Sequence, residues 1–310
     1  MNPLREHFIF GSEEKECFRY VGLNVSQNHE YIDVDQDHYI EALEVPDLKT
    51  FRLEGSLSQI MDEEGQTDFR SIVAKILQIG YQSRPDVCFE AKALSTFYGK
   101  ATLKELKQAV KKIIKLKADT TVMRYPNMGD IEDWVLVCHG DAGIKSMPDK
   151  VSSVAGHVLL IVNRVTNKCS VMNWRSKKIK RIVSSSLGGE TLATIGAIGE
   201  VVYAKAVLKE IYGTRMNDIP AIVFTDSNNL FQAAHTTKLV DDPWLIPDIS
   251  SIKEALKDGV IDELRLIPGD AMIANCLTKS GASGSLLLKI IRSGTYEFPG
   301  TWPSRKKMMN

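Results

Sequence analysis

The sequence has little of what marks a zinc, disulfide or membrane protein. Its five cysteines are scattered, odd in number and never spaced as Cys-x-x-Cys, which disfavours structural zinc and a disulfide framework. No run approaches the roughly 20 apolar residues of a membrane helix, and residues 1–15 resemble neither a signal nor a transit peptide. We therefore expect an intracellular protein of a reducing compartment, with mostly buried thiols and no membrane-spanning segment.

An excess of charge of one sign is also lacking. The 39 basic and 39 acidic side chains give a formal net charge of zero. A dedicated nucleic-acid binder is usually basic, so broad electrostatic binding is disfavoured, although a local basic face remains open. The 310 residues, 44% of them hydrophobic, suffice for two domains with sizeable cores.

Two regions of the chain show different hydrophobic patterns. Residues 1–48 alternate in short runs that predict a small β-rich piece, and residues 55–117 carry apolar side chains at helical spacing. Residues 118–130 contain proline and glycine and are predicted to be a linker. Beyond them the predicted order is β-β-β-α-β-α-α-β-α, which indicates a mixed α/β sheet with flanking helices.

Three acidic residues stand at points where such a sheet gathers functional groups. Asp141 follows the first strand of the α/β region, Glu190 lies in the first turn of its long helix, and Asp226 follows its fourth strand. Carboxylate oxygens suit Mg²⁺ or Mn²⁺ better than zinc, and two such ions can promote phosphodiester hydrolysis. Taken singly, each acid is more simply a turn former or a partner of the helix dipole. The three together favour a metal site.

Two basic stretches could follow a phosphate backbone. A solvated helix face and a charged edge strand explain them equally well. The candidate nucleic-acid-binding residues are Lys104, Lys111, Lys112 and Lys115 on the first stretch, and Trp174, Arg175, Lys177 and Lys178 on the second.

Four motifs resemble a known family. They are Gly140-Asp141-Ala142, the segment 184–193 around Glu190, Thr225-Asp226-Ser227-Asn228, and the segment 273–279 (Ile-Ala-Asn-Cys-Leu-Thr-Lys). In this order they resemble the RNase H region of copia-type retrotransposon polyproteins, and the last resembles that family's Ala-Asp-x-Leu-Thr-Lys signature. Upstream, residues 18–25, 34–39 and 83–87 resemble the end of the family's reverse transcriptase. The likeness covers most of residues 8–295.

The resemblance implies an organisation. Residues 131–295 would form an RNase H-like α/β domain, a mixed sheet with flanking helices. Residues 1–125 would form a smaller, mostly helical region like the thumb and connection of a reverse transcriptase, and residues 296–310 a C-terminal tail. No Tyr-x-Asp-Asp element is present, so the chain cannot polymerise DNA by itself.

The resemblance also implies a damaged site. Asp141, Glu190 and Asp226 match three of the family's four metal-binding carboxylates, and the fourth matching position is Asn275. An amide oxygen brings no charge, so at least one of the metal ions should be weakened. Nearby, Ala271-Met272 replaces residues that are commonly polar, which favours natural decay over a single engineered change. Asp270, five residues before Asn275, is not expected to substitute for the missing acid.

Three functions remain open on this basis. The favoured one is a degenerate RNase H-like protein, derived from a retrotransposon, that binds RNA or RNA–DNA hybrid or serves as a structural component of a larger assembly such as a ribonucleoprotein. The second is an active Mg²⁺- or Mn²⁺-dependent ribonuclease H with Asn275 as a weak fourth ligand. The third is a purely structural subunit that binds no nucleic acid.

Overall fold

A computed structural model describes residues 14–46, 58–216, 219–237 and 240–303. The outer parts of the predicted N-terminal region and tail lie outside these residues. The strands are β1 (Cys17–Tyr20), β2 (Leu23–Gln27), β3 (Tyr31–Asp35), β4 (Met123–Pro126), β5 (Trp134–Gly143), β6 (Val154–Asn163), β7 (Cys169–Lys178), β8 (Ala221–Thr225) and β9 (Glu263–Leu266). The helices are α1 (Asp37–Glu41), α2 (Glu63–Gln82), α3 (Cys88–Ser95), α4 (Leu103–Ala118), α5 (Ser186–Tyr212), α6 (Asn228–His235), α7 (Ile246–Lys257) and α8 (Ser285–Ser293).

The C-terminal region contains a five-stranded mixed sheet. Its strand order is β7-β6-β5-β8-β9. Short connections keep β5, β6 and β7 antiparallel, whereas β8 and β9 run parallel to β5 because helices cross over between them. This is the predicted α/β architecture, a mixed sheet with flanking helices.

The central strand separates two cores. All ten residues of β5 are buried, as expected for a strand covered on both faces. Successive side chains point to opposite faces. Val135 and Val137 therefore join the core under α8, while Leu136 and Cys138 join the core under α5. Asp141 lies near the end of the same strand, so its backbone is held in place by the two cores that pack on β5.

The long helix α5 requires one correction to the sequence analysis. The stretch Ser186–Met216 is long and apolar enough to cross a membrane by length and composition alone, although no such stretch was expected. Its alanines, valines, leucines and isoleucines raise the mean hydropathy, while its glycines, threonines and charged residues interrupt the apolar run. Ala197, Val201 and Leu208 pack on the sheet, so α5 is built as a core helix that passes the same test.

The N-terminal region combines a small sheet with helices. The strands β1-β2-β3-β4 form an antiparallel sheet, and α2, α3 and α4 pack around a core that includes Phe69, Ile76 and Ile113. A capping box of Thr102 and Glu105 begins α4. Strand β4 lies in the segment predicted to be a linker. That prediction was wrong because the short β4 is stabilised by its pairing with the distant β3, which local pattern does not show.

The two regions contact each other directly. Cys88 and Met123 belong to the main core of the C-terminal sheet, and the Trp174 indole N–H donates to the carbonyl of Gly80 over 2.9 Å. The Arg292 guanidinium donates to Asp119 Oδ1 over 2.5 Å. The described residues of the two regions are thus packed together. The division of the chain into two domains at residues 125–131 stays a prediction.

Candidate functional site

Three carboxylates converge at one edge of the mixed sheet. Asp141 comes from the end of β5, Glu190 from the first turns of α5, and Asp226 from the residue after β8. One oxygen from each lies within 4.8 Å of the others. The parallel strands β5 and β8 end at the same edge, and the N-terminus of α5 comes to it. The structure thus brings together the three acids that the sequence singled out.

Two glycines permit this close approach. A Cβ on Gly189, at the start of α5, would lie 2.1 Å from Ile144 Cδ1. A Cβ on Gly143, at the end of β5, would lie 2.0 Å from the carbonyl oxygen of Thr278. A larger residue at position 143 would push the 278 segment away from the strand, and one at position 189 would displace the Ile144 side chain. These glycines therefore allow the backbone of three segments to meet beside Asp141.

The cluster holds more negative charge than its surroundings offset. Burial, followed by the nearby Asp141 and Asp226 carboxylates, raises the pKa of Glu190 to about 8. Burial and Asp141 also raise the pKa of Asp226. Among the described residues, no group donates a hydrogen bond to the buried Glu190 Oε2. A buried carboxylate oxygen without a partner is costly unless a proton or a cation accompanies it. The donor set therefore fits a hard divalent cation.

The fourth predicted position is used differently. Asn275 lies in the short 3₁₀ helix Ile273–Leu277. Its Nδ2 donates to the carbonyl of Gly269 over 2.7 Å. Its Oδ1 accepts from Lys279 Nζ over 2.8 Å, and the same ammonium donates to Asp141 Oδ1 over 2.9 Å. Both ends of the amide are thus engaged within the protein.

Lys279 and Thr278 are site residues that the sequence analysis did not select. The ammonium of Lys279 bonds Asp141 directly, and the Thr278 hydroxyl donates to Asp141 Oδ2. Lys279 follows Asn275 by four residues, a spacing at which side chains on a helical turn meet. That spacing was the available signal. Lys279 therefore brings the positive charge of an ammonium group directly to the acidic cluster.

The residues just before Asn275 pack in the core or face solvent and contribute no oxygen to the acidic cluster. Met272 is buried in the main core, and Ala271 packs against it. Asp270 is exposed and is absent from the acidic cluster of the described residues. The Nε2 atom of His139, two residues before Asp141, lies 2.8 Å from the Tyr296 hydroxyl. Burial lowers the pKa of His139 to about 3, so this side chain stays neutral.

The first predicted basic stretch divides into two sets. Lys111, Lys112 and Lys115 line a groove between α3, α4 and the loop after β5. Lys112 pairs with Glu90. Lys104 is exposed near the start of α4 and is not among the residues that line this groove.

The second basic stretch lies on the edge strand β7. Arg175 lies 3.7 Å from Glu200 Oε1, and Lys178 lies 4.0 Å from Asp149 Oδ2. Lys177 is exposed. The Trp174 indole N–H donates a hydrogen bond to the carbonyl of Gly80, at the contact between the two regions. A role of these four residues in binding nucleic acid stays a prediction.

Comparison with known proteins gives distant structural matches alone. No protein-family model matches the chain, and no curated protein matches it. An RNase H1 obtained from compost by a metagenomic approach is 17% identical, with a TM-score of 0.35 over 46% of this chain and 92% of the other. The N-terminal RNase H domain of a Mycobacterium tuberculosis protein is 15% identical, with a TM-score of 0.33 over 46% and 89%. RNase H1 of Halobacterium salinarum is 14% identical, with a TM-score of 0.31 over 46% and 93%.

Proposed function

We propose that this chain is a degenerate RNase H-like protein, derived from a copia-type retrotransposon, that binds nucleic acid as a component of a larger assembly and does not cleave it efficiently. The ancestry is supported by the four ordered sequence motifs, and the strand order of the sheet agrees with it. The loss of activity is supported by the site itself.

The observation that carries the proposal is the environment of Asn275. A carboxylate there would add a fourth negative ligand, but the amide binds Gly269 and Lys279 instead. The Lys279 ammonium then bonds Asp141, so a divalent cation would have to compete with a fixed positive charge. Anionic oxygen contributes most of the binding energy for hard dications. Both features weaken the binding of metal.

Three residues remain able to hold a cation. Asp141, Glu190 and Asp226 would hold Mg²⁺ or Mn²⁺, which supplies Lewis-acid activation of water when bound. The unpartnered Glu190 Oε2 supports retention of some affinity. Asp141 is also oriented by Thr278 and Lys279, which fixes its oxygens without substrate. A site of this kind can still bind a phosphate backbone through metal while lacking full catalytic charge.

Cleavage of an RNA–DNA hybrid tests the loss of activity. We expect no more product from the wild-type chain in Mg²⁺ than from Asp141→Asn. Asn275→Asp should raise the rate by about tenfold or more, since a full ligand charge contributes upward of about 1.4 kcal/mol. Wild-type cleavage that Asp141→Asn abolishes would instead establish the active ribonuclease H.

Binding measurements test the proposal that the chain binds nucleic acid. Hybrid and single-stranded RNA should both be retained by the wild-type chain at low salt, and retention should fall as salt rises. Absence of binding at every salt concentration would favour the purely structural subunit. Because Asp141→Asn removes one charge that repels phosphate, it should bind at least as tightly as wild type in metal-free buffer.

A further inference from the structure

A groove of about 490 Å³ lies between the N-terminal helices and the mixed sheet. We call it the lysine groove, and its lining includes Phe97, Lys111, Lys115, Pro148 and Lys150. The first three residues belong to the N-terminal region, and the last two to the loop after β5. The groove is therefore formed by both regions together, which local sequence does not show.

The charge of the groove selects an anionic occupant. Four lysines line it, and Glu90 is the acid among its lining residues. Glu90 pairs with Lys112. Among the described residues, Lys111, Lys115 and Lys150 have no ion-pair partner. Three uncompensated ammonium groups around one depression attract a polyanion.

The floor of the groove is apolar and partly aromatic. Phe97 is half-buried and packs on the core of the N-terminal region, while Leu94 and Pro148 add apolar surface. Basic groups beside an aromatic side chain suit single-stranded nucleic acid, because unpaired bases stack on the ring while lysines follow the backbone. In a duplex the base faces are already stacked and are not free to contact Phe97.

The groove leads toward the acidic cluster. Glu90 and Lys115 also line an adjoining cavity of about 480 Å³, whose lining includes Lys279 and Arg292 as well as the acids Asp86 and Asp119. The Lys279 ammonium lies 2.9 Å from Asp141 Oδ1. Ser280, the next residue along the chain, lines the lysine groove itself. A strand in the groove would therefore extend toward the carboxylates.

We infer that the lysine groove binds a single strand of nucleic acid and directs it toward the Asp141 cluster. This inference rests on the proposed nucleic-acid-binding function and adds its location and strand type. The backbone phosphates contact Lys111, Lys115 and Lys150, and a base stacks on Phe97. The edge strand β7 is not required.

Fluorescence anisotropy with a labelled, unstructured RNA of about 15 nucleotides tests this inference on the full chain. Lys111→Ala, Lys115→Ala and Lys150→Ala should each weaken binding about three- to tenfold and lower the salt slope by about 0.7. Lys257→Ala, an equal loss of charge on an exposed residue of α7, should change neither quantity. Thermal melts establish that each variant is folded.

Two further variants separate nucleic acid from other polyanions. Phe97→Leu keeps an apolar side chain but removes the stacking ring, and should weaken RNA binding by about fivefold or more. Glu90→Gln frees Lys112 and should tighten binding by about twofold. If polyglutamate displaces the RNA and Phe97→Leu has no effect on RNA affinity, the groove is a general acidic-peptide site and the inference is wrong.

The remaining outcomes distinguish the inference from the function on which it rests. If wild type binds RNA and the groove variants bind like Lys257→Ala, the groove assignment fails while nucleic-acid binding stands. If hybrid is bound more tightly than the single strand, the strand type is wrong. If wild type binds no nucleic acid, the proposed function itself fails, and the groove assignment with it.

Discussion

The N-terminal region and the mixed sheet each bury an ionisable side chain, which is paired in the first and lacks a partner in the second. In the N-terminal region, Arg84 is fully buried and donates two hydrogen bonds of 2.8 and 2.9 Å to the Asp86 carboxylate. It also donates to the carbonyl of Asp119. In the sheet region, Glu190 is buried beside two further acids, and its Oε2 has no partner among the described residues.

This difference separates structural charge from functional charge. A buried ion that only supports the fold is paired, because an unpaired one costs several kcal/mol. A binding site can leave its charge uncompensated because the ligand completes it. The partial compensation of Asp141 by Lys279 places this cluster between the two cases, which agrees with the proposed loss of one acid.

The largest change in the free energy of unfolding is expected from removing Arg84, the buried and paired charge of the N-terminal region. Arg84→Met should lower the free energy of unfolding by about 3–5 kcal/mol, because Asp86 would remain buried without its partner. Arg124→Met removes a similar two-bonded pair with Asp33 that is more exposed, and should cost about 1 kcal/mol or less. Urea unfolding of both variants measures the contrast. Equal losses would show that burial does not distinguish the two pairs.

A smaller change in the free energy of unfolding is expected from His157, a buried side chain that stays neutral in the folded protein. Burial lowers the pKa of His157 to about 4, with Glu200 Oε1 at 3.5 Å. Below its usual pKa near 6.5, the unfolded chain binds this proton more readily, so stability falls as pH drops from about 6.5 toward 4. Between pH 7.5 and pH 5 the wild-type chain should therefore lose free energy of unfolding, and His157→Gln should make that loss about 2 kcal/mol smaller. An unchanged pH slope in urea unfolding would contradict this.

Adding a cation should compensate the acidic cluster. Mg²⁺ at ten times its dissociation constant should raise the free energy of unfolding by about 1.4 kcal/mol. Asp141→Asn should abolish the increase, whereas Asp149→Asn, at an exposed acid away from the cluster, should not. Thermal melts with Mg²⁺ and with the same ionic strength of NaCl measure the effect. An equal rise in both salts would indicate general screening.

Removing the uncompensated charge should give the smallest change. Glu190→Gln should raise the free energy of unfolding by about 1 kcal/mol in metal-free buffer at pH 8.5, since it relieves repulsion from Asp141 and Asp226. It should also remove the stabilisation by Mg²⁺. Destabilisation in metal-free buffer would instead show that Glu190 supports the fold.

The alternation of strands and helices was readable from the sequence because it reflects local periodicity. The same order emerges in the structure, from β5 to α8, and Asp141, Glu190 and Asp226 fall at element ends that meet. Strand β4 was missed because its partner β3 is distant in the chain. The final helix of the predicted order is α8, which begins only at Ser285, because 3₁₀ turns occupy the segment between β9 and this helix.

Residue type and order along the chain were enough to identify three acids as metal-ligand candidates, because these are properties of local sequence. The position of Asn275 as a departure from a four-acid pattern came from the family resemblance. The hydrogen bonds of Lys279 to Asp141 and Asn275, and the joining of Phe97 with Lys150 in one groove, required the folded chain. Apart from the bond between Lys279 and Asn275, which spans four residues, those contacts link residues far apart in sequence. Their geometry depends on how β5, α4 and the 273–279 segment pack, which no local pattern specifies.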